Sequence, residues 1–337
     1  MSFISIGDLS RGYALRTQNA EIKARLSRLG QEVSTGLTAD PAARLRGDFR
    51  ALGAVERGLK VMDSYDLATK EAAFATEAMQ HALGQMNEAA KKLSGDLISA
   101  GNVLSAQSVN LIGAEAKGWL DMSVAALNIQ AGGRTLFAGA ATHGPALASG
   151  ADILNAVKTA VAGMTSFQDV LDEVDNWFDT PGGGFETSGY LGSSIPVGPV
   201  RLNDRSSLTL DVTASDPNIR TVLKDLVAGA LLSDSTLLGG DVLQRRALAS
   251  AVGERLLTNS GNLISLQSEV GTAQARIETI RTENSASRQM LEFARLDMLA
   301  VDPYETATEL KAAETQLETI YAITARLSRL SLVNYLR

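Results

Sequence analysis

An apolar residue returns every seven positions from Leu256: Leu256, Leu263, Val270, Ile277, then Leu291 and Met298. A second row runs beside it through Leu266, Ala273, Ile280 and Ala294. Two such rows form the a/d seam of a coiled coil, and a seam held for about six heptads must be covered by another helix. Asn284 and Ser287 interrupt it. A lone polar residue at such a seam can fix register, whereas two neighbouring breaks also read as a soft spot. Past the seam, Asp302-Pro303-Tyr304-Glu305 reads as a helix start, with Asp302 as cap, Pro303 at the first position and Glu305 where a capping-box partner belongs. The closing helix carries Leu310, Ala313, Leu317, Ile320, Leu327 and Leu330 at three-and-four spacing.

A partner for that seam lies at the other end of the chain. Residues 10–35 read as an amphipathic helix with Leu15, Ile22 and Leu29 in one heptad row and Leu26 and Val33 in the companion row. Periodicity alone also allows this helix to pack on a domain of its own. Gly36 supplies a left-handed helix end, and Asp40-Pro41 restarts a helix by the device seen at Asp302-Pro303. From Ala42 to about Ser99 the pattern stays helical, which as one helix spans roughly 85 Å at 1.5 Å per residue. Gly101-Asn102 reads as a turn, and a further helix is expected from Ser105 to Ala131.

Composition shifts at Gly132-Gly133 toward Gly, Pro, Ser and Thr, and stays shifted to about Gly240. Within this stretch a helix is expected from Ala151 to Phe178, a plain loop at Pro181-Gly182-Gly183-Gly184, and short strands at Val197–Leu202 and Leu208–Thr213. Leu208, Leu210 and Val212 alternate with Thr209, Asp211 and Thr213. Helix returns from Ile219 to Leu232. The expected fold is therefore mainly α: a long antiparallel helical coiled-coil rod built from both termini, with a small α+β insert domain. The boundaries implied are terminal coiled-coil helices at 1–40 and 303–337, a long-helix domain at 41–131 and 241–302, and an outer insert at 132–240.

Several function classes are excluded or disfavoured. Aromatic residues make up only 5% of the chain, which suits thin helical packing better than one thick globule. The net charge of −7 and the lack of a basic stripe interleaved with aromatics argue against nucleic acid. No run of 18 apolar residues exists, so no membrane span is expected. Met1 to Asp8 has no basic stretch followed by an apolar block, so it is not a cleavable signal peptide. With no cysteine there is neither a disulfide nor a thiolate metal site. His81 and His143 each stand without a second ligand at metal spacing, and no nucleophile elbow or phosphate loop occurs. The acidic stretch of Asp169, Asp172, Glu173, Asp175 and Asp179 lacks the spacing of a calcium loop, so a solvated face is the favoured reading over a cation site. No catalytic, cofactor or metal residues are expected.

Four motifs in order carry a family resemblance. Leu26-Ser27-Arg28-Leu29-Gly30-Gln31-Glu32-Val33-Ser34-Thr35-Gly36 runs a helix into a small-residue and glycine break. Asp40-Pro41-Ala42-Ala43 follows it, then Gly133-Arg134-Thr135-Leu136-Phe137-Ala138-Gly139, and last the closing helix from Thr308-Glu309-Leu310 to Asn334-Tyr335-Leu336. Together these resemble the flagellin superfamily of bacterial axial proteins over about residues 1–140 and 250–337. Within it, Asp40-Pro41 and Phe137-Ala138-Gly139 resemble the hook-associated proteins of the hook–filament junction more than the flagellins. Thr135 departs from the tyrosine of that pattern. The resemblance implies a structural, non-enzymatic subunit that is exported unfolded through the flagellar type III channel and ends outside the cell at the hook–filament junction. It implies self-association into a ring, contact with a neighbouring hook-associated protein and with flagellin, and a small helical export chaperone on the C-terminal helix. No cofactor is implied. The expected assembly surface is Leu15, Ile22, Leu26, Leu29 and Val33 on the first helix, and Leu310, Leu317, Ile320, Leu327 and Leu330 on the last. A flagellin filament subunit is the alternative within the family; a cytosolic coiled-coil adaptor is the alternative outside it.

Overall fold

The computed structural model describes residues 6–102 and 105–335, with side chains at residue 10, from 13 to 102 and from 105 to 326. The chain is mainly α with a small α+β insert, and it divides into two compact units: Met1–Met62 with Ala286–Arg337, and Asp63–Ser285.

The first unit is organised by α1 (Ile6–Thr35) and α9 (Pro303–Tyr335). They pack antiparallel: Arg25 meets Glu309, and further back along α1 Lys23 meets Tyr321. Ile22 and Leu29 on α1, and Ala313 and Ile320 on α9, are buried at heptad spacing, so α1 covers the closing helix. The rows from Leu256 to Ile280, whose expected partner is the same N-terminal helix, are buried within the second unit instead. Gly36 ends α1 at φ +70°, its N–H on the carbonyl of Glu32 at 2.8 Å. The following residues pair with the end of α8 (Val242–Leu299): Thr38 N–H donates to Leu299 and Val301 N–H to Gly36. Glu32 is buried there because its carboxylate accepts the Ala39 N–H at 2.9 Å. Asp302 caps α9 by accepting from the N–H groups of Tyr304 and Glu305. Asp40 likewise caps α2 (Pro41–Arg44), but this helix lasts only four residues. Arg46 at φ +51° and Gly47 at φ +79° turn the chain, and α3 (Arg50–Asn102) begins anew. The single helix expected from Ala42 to Ser99 is thus two, and the turn expected at Gly101-Asn102 is the last turn of α3.

In the second unit, α3 from residue 63 and α8 up to residue 285 run antiparallel. Gln80 donates to the Gln267 carbonyl at 2.5 Å, while Gly253 lies against Ile98. Leu83, Met86, Leu93 and Leu97 of α3 and Leu256, Leu263 and Val270 of α8 lie in one core. α4 (Ala106–Leu127) and α7 (Pro217–Leu231) pack closely, and α7 is buried along most of its length. Between them, β1 (Gln130–Ala131) and β2 (Arg134–Thr135) form a hairpin with Gln130 opposite Thr135. Its turn is Gly132-Gly133, both at positive φ as a type I′ turn demands. The expected helix from Ala151 to Phe178 is α5 (Gly150–Ala160) and α6 (Phe167–Asp179), separated by a turn with Gly163 at φ +80°. The strands expected at 197–202 and 208–213 shrink to β3 (Val200–Arg201) and β4 (Ser207–Leu208), with Val200 opposite Leu208. Pro196 and Pro199, which offer no N–H to a ladder, precede β3. The alternation beyond β4 still sorts side chains, with Leu208 and Val212 buried and Thr209 and Asp211 exposed.

Candidate assembly surfaces and the charged core of the insert

Of the ten seam residues expected at an assembly surface, the eight with described side chains fall into three groups. Ile22, Leu29 and Ile320 are buried between α1 and α9 of the same chain. Leu15, Leu26, Leu310 and Leu317 are half-buried beside them, with their outer edges open. Val33 is 41% exposed. The side chains of Leu327 and Leu330 lie outside the described residues. Pairing two helices buries one stripe on each and leaves the flanks of the stripe in water.

The flanks carry aromatic residues that the heptad count did not single out. Tyr304 is 84% exposed on α9, and Tyr13 and Tyr321 are exposed on the same helix pair. The sequence held a signal for them: of six tyrosines, Tyr13, Tyr304, Tyr321 and Tyr335 fall in the terminal helices. Tyrosine, part apolar and part polar, is enriched at protein interfaces. Lys23 Nζ stands 5.8 Å above the Tyr321 ring, and hydrogen bonds from Lys23 and then Asn19 draw the Tyr321 phenol below its usual range. Arg25 donates to Glu309 at 2.9 Å in the open. In the same unit α8 exposes Met290, Phe293 and Leu296, three residues apart along one face.

The acidic stretch of α6 is solvated along much of its length, as expected, but two of its carboxylates are also ion-paired. Asp175 and Asp179 stand one helical turn apart and meet cations from two other helices. Lys224 of α7 reaches Asp175 at 3.0 Å and Asp179 at 2.5 Å, and Arg220 lies 3.5 Å from Asp179. Arg255 of α8 reaches Asp175 at 2.6 Å and also approaches Asp225 of α7 at 2.8 Å. Asn259 donates to the other Asp225 oxygen at 2.7 Å. Burial would raise the Asp175 carboxyl, but hydrogen bonds from Arg255 and Lys224 hold it below the usual carboxylate range. Asp225 is fully enclosed, and there burial wins, pushing its carboxyl up to about 6 against the pull of Arg255, Asn259 and Lys224. Three carboxylates face three cations, an arrangement that joins α6, α7 and α8 rather than one that awaits a ligand. Asp169, Asp172 and Asp179 keep the exposed character expected of the stretch, while Glu173 and Asp175 are half-buried.

The second unit also carries a groove of about 480 Å³ bordered by Phe74 and Met79 of α3, the β1–β2 hairpin, Val200 and Leu208. Its charged residues are Lys70, Glu71 and Arg134. His81 and His143 are exposed. Among the described residues no group of three or more His, Asp or Glu is placed to hold a metal ion, and no helix is long and apolar enough to cross a membrane.

The Gly133–Gly139 motif does a packing job. Thr135, where the resemblance has tyrosine, is buried with its hydroxyl on the Gly144 carbonyl at 2.7 Å. Phe137 and Ala138 enter the main core, and Gly139, at φ +56°, passes so close to the loop after Tyr190 that an added Cβ would lie 2.3 Å from the Ser193 carbonyl oxygen.

Residues 258–336 match the family model of the bacterial flagellin C-terminal helical region. None of the curated proteins matches the chain in sequence. Several solved structures share its fold, two of them as follows. One is a protein assigned to the flagellar hook-associated proteins of Vibrio parahaemolyticus, 16% identical, with a TM-score of 0.53 over 75% of this chain and 99% of that one. The other is FlgL of Bacillus cereus, 18% identical, with a TM-score of 0.50 over 71% of this chain and 96% of that one.

Proposed function

We propose that the chain is a structural axial protein of the bacterial flagellum, of the hook-associated protein 3 type, joining the hook to the flagellin filament by polymerising through its terminal helices. The observation that carries this reading is the coincidence of two findings at one place. The segment that matches the flagellin C-terminal helical region contains α9, and α9 is paired with α1 through a seam whose flanks stay exposed. The proposed assembly segments are 1–40 and 303–337; 41–131 with 241–302 forms the long-helix part and 132–240 the outer insert.

The physics suits assembly at a growing tip. Isolated helices are marginal in water, and one partner helix buries only one stripe of each. Neighbouring subunits supply the rest by covering Leu15, Leu26, Val33, Leu310 and Leu317, each worth roughly 1.5–3 kcal/mol when fully buried. The terminal pair thus gains most of its stability from neighbours, which holds polymerisation back until subunits meet in a ring outside the cell. An export chaperone on the C-terminal helix would cover the same surface beforehand.

A second reading, a filament subunit, draws on the matched family itself, which is that of flagellin. Asp40-Pro41 and Phe137-Ala138-Gly139 favour the junction. The test is incorporation of a chain with Leu26→Asp and Leu327→Asp into flagella. Loss of incorporation, with the unit Asp63–Ser285 still folded by tryptophan fluorescence, is expected. Incorporation at the normal level would overturn the terminal-helix mechanism. Capture of the chaperone by the full chain, but not by a chain lacking residues 303–337, is the matching result for export.

A further inference from the structure

The break in the α8 seam has a partner. Asn284 is buried, and its side-chain amide donates to the backbone carbonyl of Leu202 at 2.9 Å. Leu202 lies in the turn between β3 and β4 and has no exposed surface. Two residues on, Asp204 accepts a 2.8 Å hydrogen bond from the hydroxyl of Tyr65 on α3. One short turn therefore holds both long helices. The turn is itself braced: Asn203 Oδ1 accepts from the N–H groups of Arg205 and Ser206, and Leu202 N–H donates to Ser206 O. Beneath it, Leu202 and Leu208 pack with Ala72, Ile277 and Ile280 in a small core separate from the main one.

We propose that the β3–β4 hairpin is a clasp that ends the cooperatively folded body of the unit Asp63–Ser285, so that melting of α3 before residue 63 and of α8 after residue 285 stops at Tyr65 and Asn284. Both helices continue past these positions without a cap, and helix propagates or frays one residue at a time at little cost per step. A stop must come from tertiary contacts concentrated at one level. Asparagine at a seam position is a poor choice for packing and a good one for a specific bond. Unwinding through residue 284 would strand the buried carbonyl of Leu202, and unwinding through residue 65 would expose the buried Tyr65 ring and give up its bond to Asp204. The clasp lets the segments outside it order and disorder while the insert keeps its structure. It stands whether or not the chain is a junction protein.

Hydrogen exchange read by mass spectrometry on the full chain tests it. In the unmodified protein, amides at 64–73 and 274–285 should exchange at least tenfold more slowly than those at 50–62 and 286–299. Asn284→Leu restores an apolar residue to the seam but removes the bond. The clasp requires exchange at 64–73 and 274–285 to rise at least tenfold, with 83–97 and 248–263 unchanged. Should Asn284→Leu fail to fold, Tyr65→Phe, which removes one oxygen, must give the same local rise. Uniform protection across residues 62–63 and 285–286, slower exchange in Asn284→Leu as simple seam packing would give, or no local change in Tyr65→Phe would each overturn the proposal.

Discussion

Arg255 Nε stands 2.8 Å from the carboxylate of Asp225, a side chain with no exposed surface. The contact lacks hydrogen-bond alignment at that oxygen, so the ion pair only partly offsets the loss of water. The consequence is a pH dependence whose sign can be worked out. Burial lifts the Asp225 carboxyl from 3.8 to about 6, while Arg255, Asn259 and Lys224 oppose the rise and Asp175 adds to it. The folded state then holds the proton more firmly than the unfolded state. Stability from this group is full below pH 4 and lost as pH rises through 6, a change of about 3 kcal/mol for a shift of about two units. Asp175 works in the opposite sense, since its depressed carboxyl stabilises the fold above pH 4 and fails only under stronger acid. Between pH 4.5 and 7.5 the slope belongs to Asp225. Urea unfolding followed by Trp119 and Trp177, both in this unit, should show stability falling across that range, and Asp225→Asn should flatten it. An equal slope in the variant would contradict the assignment.

Two glycines, one in the turn of the first insert hairpin and one just after it, separate conformational cost from crowding. Gly132 and Gly139 share a positive φ, but an added Cβ meets nothing within 4 Å at Gly132 and the Ser193 carbonyl oxygen at Gly139. Gly132→Ala should cost about 1 kcal/mol, the ordinary penalty for a side chain in the left-handed region. Gly139→Ala adds a backbone clash and should cost at least about 3 kcal/mol or displace the loop at Ser193. Equal midpoints in thermal unfolding would contradict this.

The helix pair of the first unit should depend on its seam and hardly on its ion pair. Arg25 and Glu309 are nearly half exposed, so Arg25→Ala should change stability by at most about 0.5 kcal/mol. Leu29→Ala removes a buried side chain and should cost about 2–4 kcal/mol, visible as faster hydrogen exchange along α9. If the two substitutions loosen α9 equally, electrostatics rather than packing holds the pair.

The heptad rows were readable because local spacing alone decides which residues share a helix face. Leu256, Leu263, Val270 and Ile277 are all buried, and so are Ile22 and Leu29 at the other end. The caps at Asp40 and Asp302 were readable for the same reason. What spacing could not carry was the identity of distant partners. Asn284 showed as a break in the seam, but its bond to Leu202 joins residues 82 apart. The ion pairs of Asp175 and Asp179 on the acidic face of α6 leave no mark in local spacing, because Lys224 and Arg255 come from other helices. The break at Arg46 was hidden because a left-handed arginine follows no composition rule. In the insert, Gly132-Gly133 marked a change of composition, and the structure turns it into a hairpin turn that feeds Phe137 into the core.

The most direct test of the proposed junction role is a strain lacking this gene, with its flagella viewed by electron microscopy and its medium assayed for flagellin. Hooks without filaments, together with flagellin lost into the medium, is the expected result. Hooks without filaments and no flagellin in the medium would make the chain the filament subunit itself. Normal filaments would contradict an axial role altogether.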